Sequence, residues 1–134
     1  MVVKIETDAI RIIALFESIT KIHAKDCIIE DKCIYFLVDQ EKIGLAVGKN
    51  GSVIKEVKKV LRKDVRVMGY PDNPEDFIKS QIPSVKSIQV SDGSLILSVP
   101  SRERVNVIGK SGRNIKIMKE ILKRYFKIKD VKLR

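Results

Sequence analysis

Two nine-residue stretches hold the residue types best suited to chemistry in this chain. Val47-Gly48-Lys49-Asn50-Gly51-Ser52-Val53-Ile54-Lys55 and Ile108-Gly109-Lys110-Ser111-Gly112-Arg113-Asn114-Ile115-Lys116 share the pattern GKxGxxIK behind an aliphatic residue, with Gly48 and Gly109 61 positions apart. Two glycines three apart at the start of a helix let backbone approach a phosphate without Cβ interference. They also present amide hydrogens at the positive end of that helix. Lys49 and Lys110 add charge within the loops, and Lys55, Arg113 and Lys116 lie on the turns that follow. The pattern describes an anion cradle. A nucleotide-binding Walker loop would need glycine five positions before Gly48 and Gly109, where Ile43 and Arg104 stand, so that version is excluded twice. A single glycine pair before a helix is often only a turn; two copies in one context are a much stronger signal.

Charge gathers around the same two places. The chain has 27 basic and 17 acidic residues among 134, a formal net charge of +10. Residues 42–66 carry eight bases against two acids, and residues 102–127 carry nine against two, so the remainder is net acidic. A polyanion is the partner such segments suit. Lysine-rich helix faces also serve merely to keep a protein in solution, but their coincidence with the repeated loops favours the polyanion. Aromatic residues make up 5% of the chain and Trp is absent, which counts against recognition built mainly on stacking.

Several function classes drop out. The longest apolar run, Ile12 to Phe16, is far short of a membrane span, and the opening residues turn polar before a secretory core develops. No membrane partner is expected, and the location expected is the cytoplasm. Cys27 and Cys33 with the single His23 do not make metal spacing, so no metal or cofactor is expected. The cysteines read as small buried or half-buried thiols rather than a disulfide. One histidine, without a paired nucleophile or a metal cluster, gives little for an enzyme or a small-molecule substrate.

The repeat spacing makes each copy one small domain: residues 1–70, a linker of 71–73, and residues 74–134. Helical periodicity runs over Asp8–Ile19 behind a cap at Thr7, and over Pro74–Ile82 with Glu75 and Asp76 in its first turn. Strand-prone runs Cys27–Glu30 and Cys33–Val38, then Ser87–Val90 and Leu95–Val99, read as hairpins, the second around Ser91-Asp92-Gly93-Ser94. Gln40–Val47 and Ser101–Ile108 predict short helices entering the glycine loops, the second capped at Ser101, with a strand as the alternative. Apolar positions Val53, Ile54, Val57, Val60 and Leu61, and then Ile115, Met118, Ile121, Leu122 and Tyr125, predict an amphipathic helix after each loop. Asp64–Met68 and Lys127–Leu133 read as closing strands. The fold class is therefore α+β, each copy running α-β-β-α-α-β with a three-stranded sheet and helices on one face.

This order around VGKNGSVIK and IGKSGRNIK resembles the prokaryotic-type (type II) KH domain in tandem. The eukaryotic-type order needs two further elements, for which the 22 residues from Arg113 to Arg134 leave no room. The pair is similar to the tandem KH domains of the NusA transcription factor family, most of all to its short archaeal members, over nearly the whole chain. The resemblance implies single-stranded RNA binding, with the GxxG loop holding the backbone and an apolar groove accepting about four bases. Carried over by motif, the clamping residues are Gly48, Lys49, Asn50 and Gly51, then Gly109, Lys110, Ser111 and Gly112, with Lys55, Arg113 and Lys116 in support. Groove candidates are Ile43, Val47, Ile54, Val105, Ile108 and Ile115; core packing is at least as good an account of each, and Val47, Ile54, Ile108 and Ile115 are expected mainly as core. A role in transcription elongation, termination or antitermination follows from the family, with RNA polymerase or other transcription factors as further partners. The polymerase-binding and OB-fold domains of bacterial NusA have no counterpart here. A KH protein of ribosome assembly or RNA processing is the alternative.

Overall fold

The chain opens on one long helix of 19 residues. The computed structural model describes residues 2–109 and 112–134, with side chains from Asp8 onward except that of Arg113. The chain divides into two compact units, Met1–Tyr70 and Pro71–Arg134. The first runs α1 (Val2–Thr20), β1 (Asp26–Ile29), β2 (Cys33–Val38), a 3-10 turn (Gln40–Lys42), α2 (Ile43–Val47), a second 3-10 turn (Lys49–Gly51), α3 (Ser52–Leu61) and β3 (Asp64–Gly69). The second runs α4 (Pro74–Gln81), β4 (Ser87–Ser91), β5 (Ser94–Ser98), a 3-10 turn (Ser101–Glu103), α5 (Arg104–Ile108), α6 (Arg113–Phe126) and β6 (Asp130–Leu133).

Both sheets have the same topology. β2 lies between antiparallel β1 and parallel β3, with Phe36 opposite Cys27 on one side and Val67 on the other. β5 lies between antiparallel β4 and parallel β6, with Leu97 opposite Ile88 and Leu133. A parallel neighbour needs a crossover, and the helix pair around each glycine loop supplies it. The loop is thereby held at the joint between two helices that a strand fixes at both ends.

The helices pack because their apolar stripes meet the sheet. In the first unit Phe16, Ile34, Phe36, Val38, Ala46, Ile54 and Val57 form the core, and the Phe16 and Phe36 rings stack at 4.1 Å. Burying each large side chain contributes about 2 kcal/mol. In the second unit the buried residues include Phe77, Ile78, Leu95, Leu97, Ile117, Met118, Ile121 and Leu122. Ile117 joins the expected stripe of α6, while Ile115 and Tyr125 are half-buried.

Three local expectations are corrected. α1 begins at Val2, so Thr7 lies inside the helix and does not cap it. Ser101 is the first residue of its 3-10 turn; Pro100 precedes the turn, and no side chain caps it. The cap that matters is at Asn73, whose Oδ1 accepts the Asp76 amide at 2.8 Å while its Nδ2 donates to Asp76 Oδ2 at 2.8 Å. Lys127 ends α6 in the left-handed conformation (φ 56°), and β6 begins only at Asp130. The cause is an extra helical turn: α6 has 14 residues where α3 has 10. Cys27 and Cys33 are buried thiols, and exposed His23 sits 2.9 Å from Glu17 Oε2. Among the described residues, no helix is long and apolar enough to cross a membrane, and no cluster of potential metal ligands occurs.

Candidate nucleic-acid interface

α2 ends because Gly48 leaves helical space: its φ of 81° and ψ of 167° belong to a region that only glycine occupies readily. The approach of α3 is equally demanding. A Cβ on Gly48 would stand 2.5 Å from Val53 Cγ2 and 2.8 Å from the Val53 nitrogen. Lys49, Asn50 and Gly51 then make a tight turn, with Asn50 at φ 56° and Gly51 at φ 73° leading into α3. Asn is among the few side chains that tolerate this conformation.

The turn consumes some of its own donors. The Gly48 amide bonds the Gly44 carbonyl at 2.9 Å, the Gly51 amide bonds the Gly48 carbonyl at 3.1 Å, and the Ser52 amide bonds the Lys49 carbonyl. The tip amides of Lys49 and Asn50 have no backbone acceptor among the described residues. The glycines therefore shape the turn, and the residues between them present its donors. Lys49 and Asn50 are exposed, and the Lys55 Cε lies 4.0 Å from where a Gly51 Cβ would be. An anion at the tip would meet two amides and two ammonium groups near the positive end of α3.

The glycines of the second loop repeat the angles of the first. Gly109 has φ 78° and ψ 174°, Gly112 has φ 72° and ψ 15°, and their amides bond the Val105 and Gly109 carbonyls at 2.9 and 3.1 Å. Here α6 approaches through Asn114, whose Cγ would be 2.7 Å from a Gly109 Cβ and whose Nδ2 donates to the Asn106 carbonyl at 3.0 Å. Lys110, Ser111 and the Arg113 side chain lie outside the described residues. Lys116 is exposed and Gly112 half-buried.

The groove candidates separate. Ile54 belongs to the core and Ile43 and Val47 pack partly buried against it, while Ile115 is half-buried. Val105 is 78% exposed, on the turn of α5 that leads to the loop. Ile108, expected mainly as core, is 39% exposed, because Val107 takes the inward position of this short helix. Two residues escaped the sequence reading. Leu45, 61% exposed, presents an apolar side chain on α2 beside the first loop; its place one residue before buried Ala46 could have marked it as outward. Asn114 fastens the second loop, a role its polar type inside an otherwise apolar repeat position could have signalled.

Comparison with known proteins agrees with this geometry. Residues 10–90 match the model of the KH domain family. The probable transcription termination protein NusA of Halococcus morrhuae is 28% identical over 99% of this chain and 99% of its own length. The NusA proteins of Methanocaldococcus jannaschii and Methanococcus vannielii are 28% and 29% identical, over 75% and 80% of their own lengths. A solved structure, described as the crystal structure of APE1850, superposes with a TM-score of 0.82 at 29% identity, covering 96% of this chain and 99% of that one. With the glycine turns, the helices around them and the family match in agreement, the chain belongs to the KH domain family.

Proposed function

We propose that the chain is two tandem type II KH domains, residues 1–70 and 74–134 joined by 71–73, that bind single-stranded RNA at both glycine loops. The phosphodiester backbone lies on the Lys49–Asn50 tip and on its counterpart Lys110–Ser111, and bases lie toward the apolar side chains before each loop. The reading has no enzymatic step. The names of the archaeal relatives support transcription termination as the setting, with the transcription machinery as partner. The observation that carries it is the repeated backbone: Gly48 and Gly109 share φ near 80° with extended ψ, and Gly51 and Gly112 share the left-handed conformation. Nothing in packing alone requires a second copy of such a costly turn at the centre of the second basic segment.

Replacing Lys49, Asn50, Lys110 and Ser111 together by Asp tests it. Fluorescence anisotropy with unpaired RNA should show affinity falling by roughly 100-fold or more, and the salt dependence becoming shallower by about one counterion per lysine lost. Unchanged affinity in a variant with unchanged circular dichroism rejects the cradle. Sedimentation from native lysate tests the setting: company with RNA polymerase supports it, and company with ribosomal subunits favours the ribosomal alternative.

A further inference from the structure

β4 is the outer strand of the second sheet, so alternate amides and carbonyls along it point away from β5. The equivalent strand of the first unit is covered: Cys27 and Ile28 are both 5% exposed, and the Cys27 amide donates to Asp26 Oδ1 at 2.8 Å. Among the described residues β4 has no such cover. Ser87, Gln89, Val90 and Ser91 are exposed, and none of its five residues is a charge or a proline that would blunt the edge. Its apolar side chains stand on the core face, Ile88 opposite Leu97 and Val90 opposite Leu95. Both leucines are completely buried, yet Val90 is 55% exposed. An apolar row therefore runs off the end of the sheet unfinished.

The residues along this edge are complementary to their own reverse. Reading Lys86-Ser87-Ile88-Gln89-Val90-Ser91-Asp92 against itself sets Ser87 against Ser91, Ile88 against Val90, and Lys86 against Asp92, with Gln89 in the middle. We propose that a second copy of this chain docks here, the two β4 strands pairing antiparallel about a two-fold axis at Gln89. The pairing joins two three-stranded sheets into one of six. It lays Val90 beside the partner's Ile88, extending the buried apolar row in both directions. Charge complementarity selects the second copy over an unrelated strand. Lys86 and Asp92 flank β4 and are both exposed, Asp92 in the turn at φ 47°, so the symmetry brings each end of one strand near its counter-charge on the other, twice. The register does not depend on which parity of β4 amides faces outward, because a two-fold at a residue closes the ladder either way. A five-residue edge buries less than the roughly 1,000 Å² of a stable interface, so the dimer is weak and concentration-dependent.

Sedimentation velocity on the full chain from roughly 10 µM to 1 mM is the first test, and a shift from monomer toward dimer is expected. Val90→Lys, at an exposed site, should keep the chain monomeric over the whole range. Lys86→Asp, which sets like charges opposite each other, should weaken association about tenfold. Under mild oxidation at high concentration, Gln89→Cys should form a covalent dimer, since facing residues on paired strands are about 5 Å apart at Cα. Ser87→Cys should not, because its two copies stand about 13 Å apart. A single monomeric species at every concentration overturns the proposal. So does a dimer indifferent to both Val90→Lys and Lys86→Asp, or cross-linking through Ser87→Cys as readily as through Gln89→Cys.

Discussion

The two glycine loops share the angles of their bracketing glycines and have two different fastenings. In the first, α3 presses Val53 against Gly48, and the contact includes backbone. In the second, α6 presses Asn114 against Gly109, and that side chain also ties down the last turn of α5 through the Asn106 carbonyl. One fastening is apolar and rigid; the other is polar and can rotate. The turn itself is indifferent to which is used, so the glycine geometry is what the repeat maintains, and the neighbouring residues are free to differ.

The largest effect should come from forcing a Cβ into each turn. Gly48→Ala meets the Val53 nitrogen at 2.8 Å in a region that L-residues avoid, and should cost about 3 kcal/mol in urea denaturation. Gly109→Ala meets Asn114 first, whose Cγ and Nδ2 at 2.7 and 2.8 Å can rotate away although its Cβ at 3.0 Å cannot, so about 2 kcal/mol is expected. Equal costs would mean that the fastenings do not matter. A smaller effect separates the loops in binding: Lys49→Asp with Asn50→Asp, or Lys110→Asp with Ser111→Asp, should each lower RNA affinity by about tenfold in anisotropy titrations. A pair with no effect would assign the RNA to the other loop.

Asn114→Val gives the second loop the fastening of the first. Losing the bond to the Asn106 carbonyl should cost about 1 kcal/mol in urea denaturation and leave the glycine angles unchanged. The smallest effect lies away from both loops. The Tyr35 hydroxyl is buried without a hydrogen-bond partner among the described residues. Burial first, and the neighbouring Cys33 thiol second, push its pKa from 10.0 to about 12. The folded state thus holds this proton more tightly than the unfolded chain does. The associated stability is complete below pH 10 and is lost as pH rises toward about 12. Tyr35→Phe should leave neutral-pH stability nearly unchanged and remove that alkaline fall, which denaturation at several pH values would reveal.

Most of the architecture is legible in the residue pattern because local signals and tertiary packing agree. The hairpin at Asp92-Gly93 and the amphipathic stripes after the loops each depend on a few neighbouring residues. What escaped depends on more distant ones. The start of α1 at Val2 follows from a helix that continues through Thr7, a residue equally able to cap. The end of α6 at Phe126 reflects an extra turn that no breaker announces, so strand-prone Lys127 and Ile128 misled. In the site, the glycines and lysines stand out by type and repetition. The exposure of Leu45 and Ile108 does not, because a five-residue helix is too short for periodicity to choose its buried face. Burial there is decided by Ala46 and Val107, which point inward.

The most direct measurement is an amide-resolved NMR titration of the isotopically labelled chain with unpaired RNA at low and high salt. The Lys49 and Asn50 amides should move most and lose their shifts as salt rises, whereas Gly48 and Gly51, bonded within the turn, should move less. Shifts confined to residues away from both turns, or unchanged by salt, would contradict a phosphate seated on the tip amides.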